Sequence, residues 1–222
     1  MQPTEHPGIY KKNEKLFTQN PEPCKGIRVY NEQLITEDDV EYRSWNPFRS
    51  KLAAALLKGL SLDIAPDAQI LYLGAATGTT VSHLSDIITK GTLYAVESSP
   101  IATINLLKVS EKRPNIIPIL ADANHPERYQ SMVPMVDLIY QDISQRNQAD
   151  IFTRNIKRFL KPEGTGVIMV KARSIDVALK PKQAYDLVAD HLKQMDFVIK
   201  KTLDLAPFEK DHAALLVSVG KH

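Results

Sequence analysis

The sequence predicts an α/β fold built on a mostly parallel sheet, with a small β region ahead of it. Two observations carry this. From residue 68 onward, short and nearly all-apolar segments alternate with stretches whose apolar residues recur at helical spacing. That is the pattern of strands buried on both faces and separated by covering helices. Before residue 46 no helical spacing occurs, and short β-like segments are broken by Asn, Pro and Gly. The expected division is a β region at 1–45 and an α/β domain at 46–222.

The elements follow in order. GIYKKNEKLFTQN and CKGIRVYNEQLIT supply the β segments of the first region. Asn46-Pro47 predicts a helix start, an N-cap followed by proline in the first turn. Leu52, Leu56, Leu57 and Leu60 recur behind it at helical spacing. AQILYLG reads as the first strand of the domain. Val81, Leu84, Ile87 and Ile88 mark a helix face, TLYAVE a strand, and Ile101, Ile104 and Leu107 another helix face. NIIPILAD and MVDLIYQD are two more strands. A helix through Ile151, Phe152, Ile156, Phe159 and Leu160 stops before Pro162-Glu163-Gly164. GVIMVKA is a strand, followed by a helix through Ala184, Leu187, Val188, Leu192 and Met195. FVIKKTLDL, the turn-like APFEKDH and AALLVSV close the chain as an antiparallel pair.

Composition narrows the class. With 222 residues, 43% hydrophobic and 24% charged, the chain can bury a full core as a soluble domain with an appendage. No apolar run approaches the roughly 20 residues of a membrane span, and the opening MQPTEHPGIYKK has no signal-peptide core. Cys24 is the only cysteine, which excludes an intrachain disulfide and a cysteine zinc cluster. A reducing, cytoplasmic setting is expected. Basic residues cluster at Arg49, Lys51 and Lys58, at Arg154, Lys157, Arg158 and Lys161, and at Lys171 and Arg173. A net charge of +2 nevertheless does not by itself indicate a nucleic-acid binder.

In a parallel sheet ligands bind beyond the carboxyl ends of the strands, at the topological switch point. Gly74 to Gly78 follow the first strand of the domain, Glu97 the second, Asp122 the third, Asp142 the fourth and Lys171 the fifth. Glu97 comes 23 positions after Gly74, the spacing at which a carboxylate accepts from the hydroxyls of a ribose-bearing cofactor. The loop matches the dinucleotide pattern G-x-G-x-x-G only loosely, so a nucleotide-dependent dehydrogenase stays open as a reading. Asp142 and Lys171, on neighbouring strand ends, form either a structural salt bridge or a catalytic pair. Desolvation or a nearby cation lowers a lysine pKa from about 10.4. Lys51 is a candidate for that cation, and His212 reaches the same rim.

YLGAATGTTVSHLSD, YAVE, NIIPILADANHPERY, VDLIYQD, VKARSID and FEKDHA, with WNPFRSKLAA ahead of them, together resemble the fibrillarin family, RNA 2′-O-methyltransferases of box C/D ribonucleoproteins. The short N-terminal region is similar to the archaeal form. The resemblance implies a Rossmann-like methyltransferase fold with a seven-stranded sheet, parallel except for an antiparallel C-terminal strand. It implies S-adenosylmethionine as cofactor, in a pocket of Gly74, Ala75, Thr79, Thr80, Glu97, Ser98, Asp122, Ala123, Asp142, Ile143, Ser144 and Gln145. It places a catalytic tetrad on Lys51, Asp142, Lys171 and His212, with Asp142 holding Lys171. It implies as partners a Nop-type scaffold protein, a kink-turn-binding ribosomal-type protein, the box C/D guide RNA and target rRNA or tRNA. The family usually has phenylalanine after the ribose-binding glutamate, with an arginine shortly after; here Ser98 follows Glu97, and Ile101 comes next after Ser99-Pro100. That departure keeps open a non-catalytic assembly subunit of the same particle.

Overall fold

The structure is a computed structural model and describes residues 1–220. Its first sheet holds β1 (Gln2–Pro3), β2 (Ile9–Lys12), β3 (Lys15–Gln19), β4 (Leu34–Glu37) and β5 (Val40–Trp45), all antiparallel, in the order β1-β2-β3-β5-β4. Two-residue turns set the β2–β3 and β4–β5 hairpins. Asn13-Glu14 and Asp38-Asp39 all have positive φ, the geometry that matches the twist of flanking strands and that Asn and Asp tolerate best. Of CKGIRVYNEQLIT only the end is strand, whereas VEYRSW, which has no helical or turn signal, forms β5.

The second sheet is made of β6 (Gln69–Leu73), β7 (Thr92–Glu97), β8 (Ile116–Leu120), β9 (Val136–Gln141), β10 (Leu160–Lys171), β11 (Phe197–Asp204) and β12 (His212–Val219). Its order is β11-β12-β10-β9-β6-β7-β8, and β12 runs antiparallel to both of its neighbours. The helices are α1 (Lys51–Leu57), α2 (Thr79–Ile87), α3 (Pro100–Ser110), α4 (Gln148–Phe159), the short α5 (Ala172–Ile175) and α6 (Pro181–Gln194). Leu52, Val81, Leu84 and Leu106 of α1–α3 pack on one face with Ile70, Tyr72, Leu93 and Ala95. Ile151 and Phe152 of α4 and Val188 of α6 pack on the other with Leu71, Leu73 and Val96. The chain builds outward from β6 in both directions, toward β7 and toward β9, so the switch point lies at the C-terminal ends of these strands.

Three local expectations are corrected. Asn46-Pro47 does not start α1: Asn46 Oδ1 accepts from the Phe48 N–H at 2.9 Å and closes a separate turn. The helix begins at Lys51 behind Ser50, whose hydroxyl accepts from the Ala53 N–H. The Ile101, Ile104 and Leu107 face of α3 is exposed, and Thr103 and Leu106 are buried instead. Apolar residues surround this helix, so periodicity alone does not choose its inner face. The helix does stop before Pro162-Glu163-Gly164, but at Phe159, and Leu160, expected in it, instead begins β10, which carries a register shift between Leu160 and Thr165.

Candidate active site

Beyond the C-terminal ends of β6 to β9 lies a cavity of about 270 Å³. It depends on residue 74 being glycine. Gly74 has φ +82°, and a Cβ there would run into the Asp142 carbonyl, where the ends of β6 and β9 come together. Glu97 ends β7 and forms part of the wall. Its Oε2 accepts from the Ala76 N–H and its Oε1 from the Ser99 N–H, both at 2.8 Å. Each oxygen keeps a further lone pair. Asp122 Oδ1 accepts from the Asn124 N–H and Nδ2, both at 2.9 Å, and these bonds hold its carboxyl below the ordinary value. Asn124 Nδ2 also donates to Gln145 Oε1 at 3.1 Å, closing the wall between the third and fourth strand ends.

Gly74, Glu97, Ser98, Asp122, Ala123, Asp142, Ile143, Ser144 and Gln145 all line this cavity. Ala75, Thr79 and Thr80 do not. Ala75 is turned into the core and Ala76 lines the wall in its place. Thr79 and Thr80 form the first turn of α2, and the Thr80 hydroxyl lies 2.9 Å from that of Ser50. An acceptor-rich wall at one end and a glycine floor at the other fit a ribose-bearing cofactor such as S-adenosylmethionine.

Strand alternation brings the other candidates to one face. Tyr140 and Asp142 on β9 and its end, Met169 and Lys171 on β10, and His212 and Ala214 on β12 alternate onto one face of the sheet, where Tyr140, Met169 and Ala214 belong to the same core cluster as Leu52 of α1. Lys171 and His212 are directly opposite in register. Lys51 Nζ sits 2.9 Å from Asp142 Oδ2, with both side chains about one-fifth exposed. Here the expectation that Asp142 holds Lys171 is corrected, because the ion pair is Lys51–Asp142. Ile168 is level with Gln141 in the parallel pair, so Asp142 is level with Met169. Lys171 lies two residues further on, about 6–7 Å at 3.3 Å per residue.

His212 Nδ1 is 2.8 Å from the Lys210 carbonyl, which can only accept, so Nδ1 carries a proton and the lone pair of the neutral ring is on Nε2. Glu209 Oε2 lies 3.9 Å from the same Nδ1. Several positioning groups carried no signal in the sequence. Gln148 is fully buried, accepts from the Lys171 N–H through Oε1 and donates from Nε2 to the Gln145 carbonyl. Ser50 both caps α1 and touches Thr80, so one hydroxyl relates the lysine-bearing helix to the glycine-loop helix. Tyr72 and Tyr140 lie under Asp142 with ring centroids 4.6 Å apart, and burial pushes both phenols up.

A doubly wound sheet with a glycine loop, a carboxylate ending the second strand and a cation–carboxylate cluster beside the cavity defines a Rossmann-like S-adenosylmethionine-dependent methyltransferase domain. Comparison with known proteins makes the assignment particular: the family model described as Fibrillarin matches residues 1–221, and the chain belongs to the fibrillarin family. It is 45% identical over 214 residues to the fibrillarin-like rRNA/tRNA 2′-O-methyltransferase of Methanosarcina barkeri, covering 95% of this chain and 94% of that one. Among solved structures it is similar to Aeropyrum pernix fibrillarin in complex with natively bound S-adenosyl-L-methionine. That match has a TM-score of 0.87 and 41% identity over 97% of this chain and 96% of that one. It is equally similar to the fibrillarin of a fibrillarin/Nop5p complex, with TM-score 0.87 and 44% identity over 96% and 98% of the two chains.

Proposed function

We propose that this chain transfers a methyl group from S-adenosylmethionine to ribose 2′-hydroxyls of rRNA and tRNA, as the catalytic subunit of a guide-RNA particle held by a Nop-type scaffold. The carrying observation is the cavity at the switch point, lined by Gly74 and Glu97, with Lys51, Asp142, Lys171 and His212 gathered beside it. When bound, the cofactor supplies an electrophilic sulfonium methyl that leaves a neutral thioether. Glu97 accepts from the cofactor's ribose hydroxyls. Lys51 and Asp142 fix one another at the mouth of the cavity and orient the incoming hydroxyl. Lys171 polarises that hydroxyl, and His212 Nε2 is the lone-pair nitrogen that takes its proton. Alignment is the main contribution, since orienting two bound reactants supplies roughly 7–11 kcal/mol of a barrier.

A net charge of +2 gives little unaided grip on RNA, whose affinity comes mainly from neutralised phosphates. The guide RNA and a kink-turn-binding protein complete the particle in this reading. The test is reconstitution with scaffold, kink-turn protein, guide RNA and labelled cofactor. The label is expected on the ribose 2′-oxygen of a guide-paired target nucleotide. Lys171→Ala is expected to abolish transfer while cofactor binding persists. Label on a base, or wild-type turnover by the variant, would overturn the assignment.

A further inference from the structure

A second cavity, of about 260 Å³, lies behind the glycine loop, between α3 and the segment that follows Cys24. Arg28, Lys108, Lys112 and Arg113 form its cationic wall, with Thr77 and Asn105 between them, and among the described residues no carboxylate lines it. Two chain segments far apart in sequence build it, joined by Cys24 Sγ to the Lys112 carbonyl at 3.2 Å and by Arg113 Nη2 to Asn20 Oδ1 at 3.1 Å.

The electrostatics are one-sided. Arg113 is 2% exposed, and its Nε and Nη2 bond Asp86 Oδ1 at 3.3 Å. The buried acids nearby, Asp86 and Glu32, are matched by the buried Arg43 and Arg113. Arg28, Lys108 and Lys112 are exposed and form no ion pair among the described residues. Three cations thus surround a concave, acid-free wall that also offers a hydroxyl and an amide. An oxyanion with several acceptor oxygens satisfies it.

Position identifies which oxyanion. Thr77 belongs to the same loop whose Gly74 and Ala76 line the cofactor cavity, so the two cavities share that loop. The cationic cavity also lies on the sheet face covered by α1 to α3, the face that carries Lys51, Asp142, Lys171 and His212. The shared loop leads into the start of α2, where Thr80 meets Ser50, the residue before Lys51. We propose that this cavity binds a backbone phosphate of the RNA whose ribose is methylated, holding the strand in register over the catalytic cluster. The proposal rests on the functional reading above and gives that reading its RNA-gripping site.

The test follows a fluorescent guide–target RNA duplex binding the full chain, by anisotropy across a salt series. The triple variant Arg28→Gln, Lys108→Gln, Lys112→Gln changes only exposed residues. It is expected to lose about tenfold in affinity at low salt and to flatten the log–log salt slope by about one, with calorimetric S-adenosylmethionine affinity unchanged. A comparator, Lys157→Gln, Arg158→Gln, Lys182→Gln, removes the same charge from α4 and α6 on the opposite face and is expected to stay within about twofold of wild type. An unchanged slope in the cavity variant, or an equal loss in the comparator, would overturn the proposal. So would loss of inorganic phosphate binding with RNA binding intact, which would make this a free-anion site. Because the assay needs no methyl transfer, a dead methylation assay with normal RNA binding sinks the functional reading alone.

Discussion

Glu97 gives one carboxylate oxygen to the Ala76 N–H and the other to the Ser99 N–H, so the group is held in place before any cofactor arrives. Hydrogen bonds to charged groups are worth about 1.5–3 kcal/mol. Glu97→Ala is therefore expected to weaken S-adenosylmethionine binding tenfold or more, and an unchanged calorimetric affinity would refute the ribose assignment. Gly74 tests the floor of the same cavity. Its positive φ costs a residue with a Cβ about 1–2 kcal/mol, and the Cβ would also run into the Asp142 carbonyl. Gly74→Ala should lower the denaturant midpoint and remove cofactor binding; a variant that binds normally would show that the strand ends part easily. Both residues were legible in the sequence, because a glycine loop followed by an acid at fixed spacing is a local pattern. The Lys51–Asp142 pair was not, since pairing depends on how far β10 overruns β9, which no spacing within either strand reports.

Among the elements, α3 separates what periodicity can say from what packing decides. A helix was expected there and forms, begun by Ser99, whose hydroxyl accepts from the Ala102 N–H. Its inner face was misread because Ile101, Ile104 and Leu107 outweigh Thr103 and Leu106 in hydropathy, yet the latter two face the sheet. Gly78 contributes to that choice: a Cβ there would press on Leu106 and Val109, so the loop packs closely against this side of α3. Ile104 is 55% exposed, and surface substitutions away from special features usually stay within about 0.5 kcal/mol. Ile104→Lys is expected to leave the free energy of urea unfolding within that range. A loss of 2 kcal/mol would place Ile104 in the core after all. The element missed outright, β5, has the opposite problem. Arg43 and Trp45 are both buried on it, and an arginine in a short alternating run reads as a solvated position until its partners are known.

Those partners hold the whole molecule together. Thr18 and Arg43 of the first sheet and Glu32 beside it meet Ser82, His83 and Asp86 of α2 and Arg113 beyond α3. These groups come from well-separated parts of the chain, so nothing in any local pattern announces them. His83 is enclosed there: its Nδ1 is 2.7 Å from Thr18 Oγ1, its Nε2 is 2.8 Å from the Tyr30 hydroxyl, and its ring stacks on Trp45 at 4.9 Å. Burial first, then the charges of Arg43 and Arg113, hold its pKa well below 6.5. The folded state therefore keeps His83 neutral while the unfolded chain protonates it below 6.5. More protons bound when unfolded means that stability rises with pH. This contribution is full above pH 6.5 and is lost progressively as the pH drops below it. Two acids in the same network act with opposite signs. Burial pushes Glu32 up, but Arg43 and the Tyr30 and Val29 N–H groups prevail and leave it below 4.5, so its stabilising share is lost only beneath that value. Asp86 is pushed up from 3.8 by burial against the pull of Arg43 and Arg113, so in the window between 3.8 and its raised value acidification favours the folded state. As the pH falls from 6.5 toward 5 the expected result is a loss of stability in which His83 takes part. Urea unfolding across that range should show it, and His83→Gln should flatten the slope whatever its own stability. In wild type the His83 proton resonance should not titrate before the chain unfolds. A His83 signal that titrates near 6.5 in the folded protein, or an equal slope in the variant, would mean that the junction between the two sheets admits a charge that its arginines should forbid.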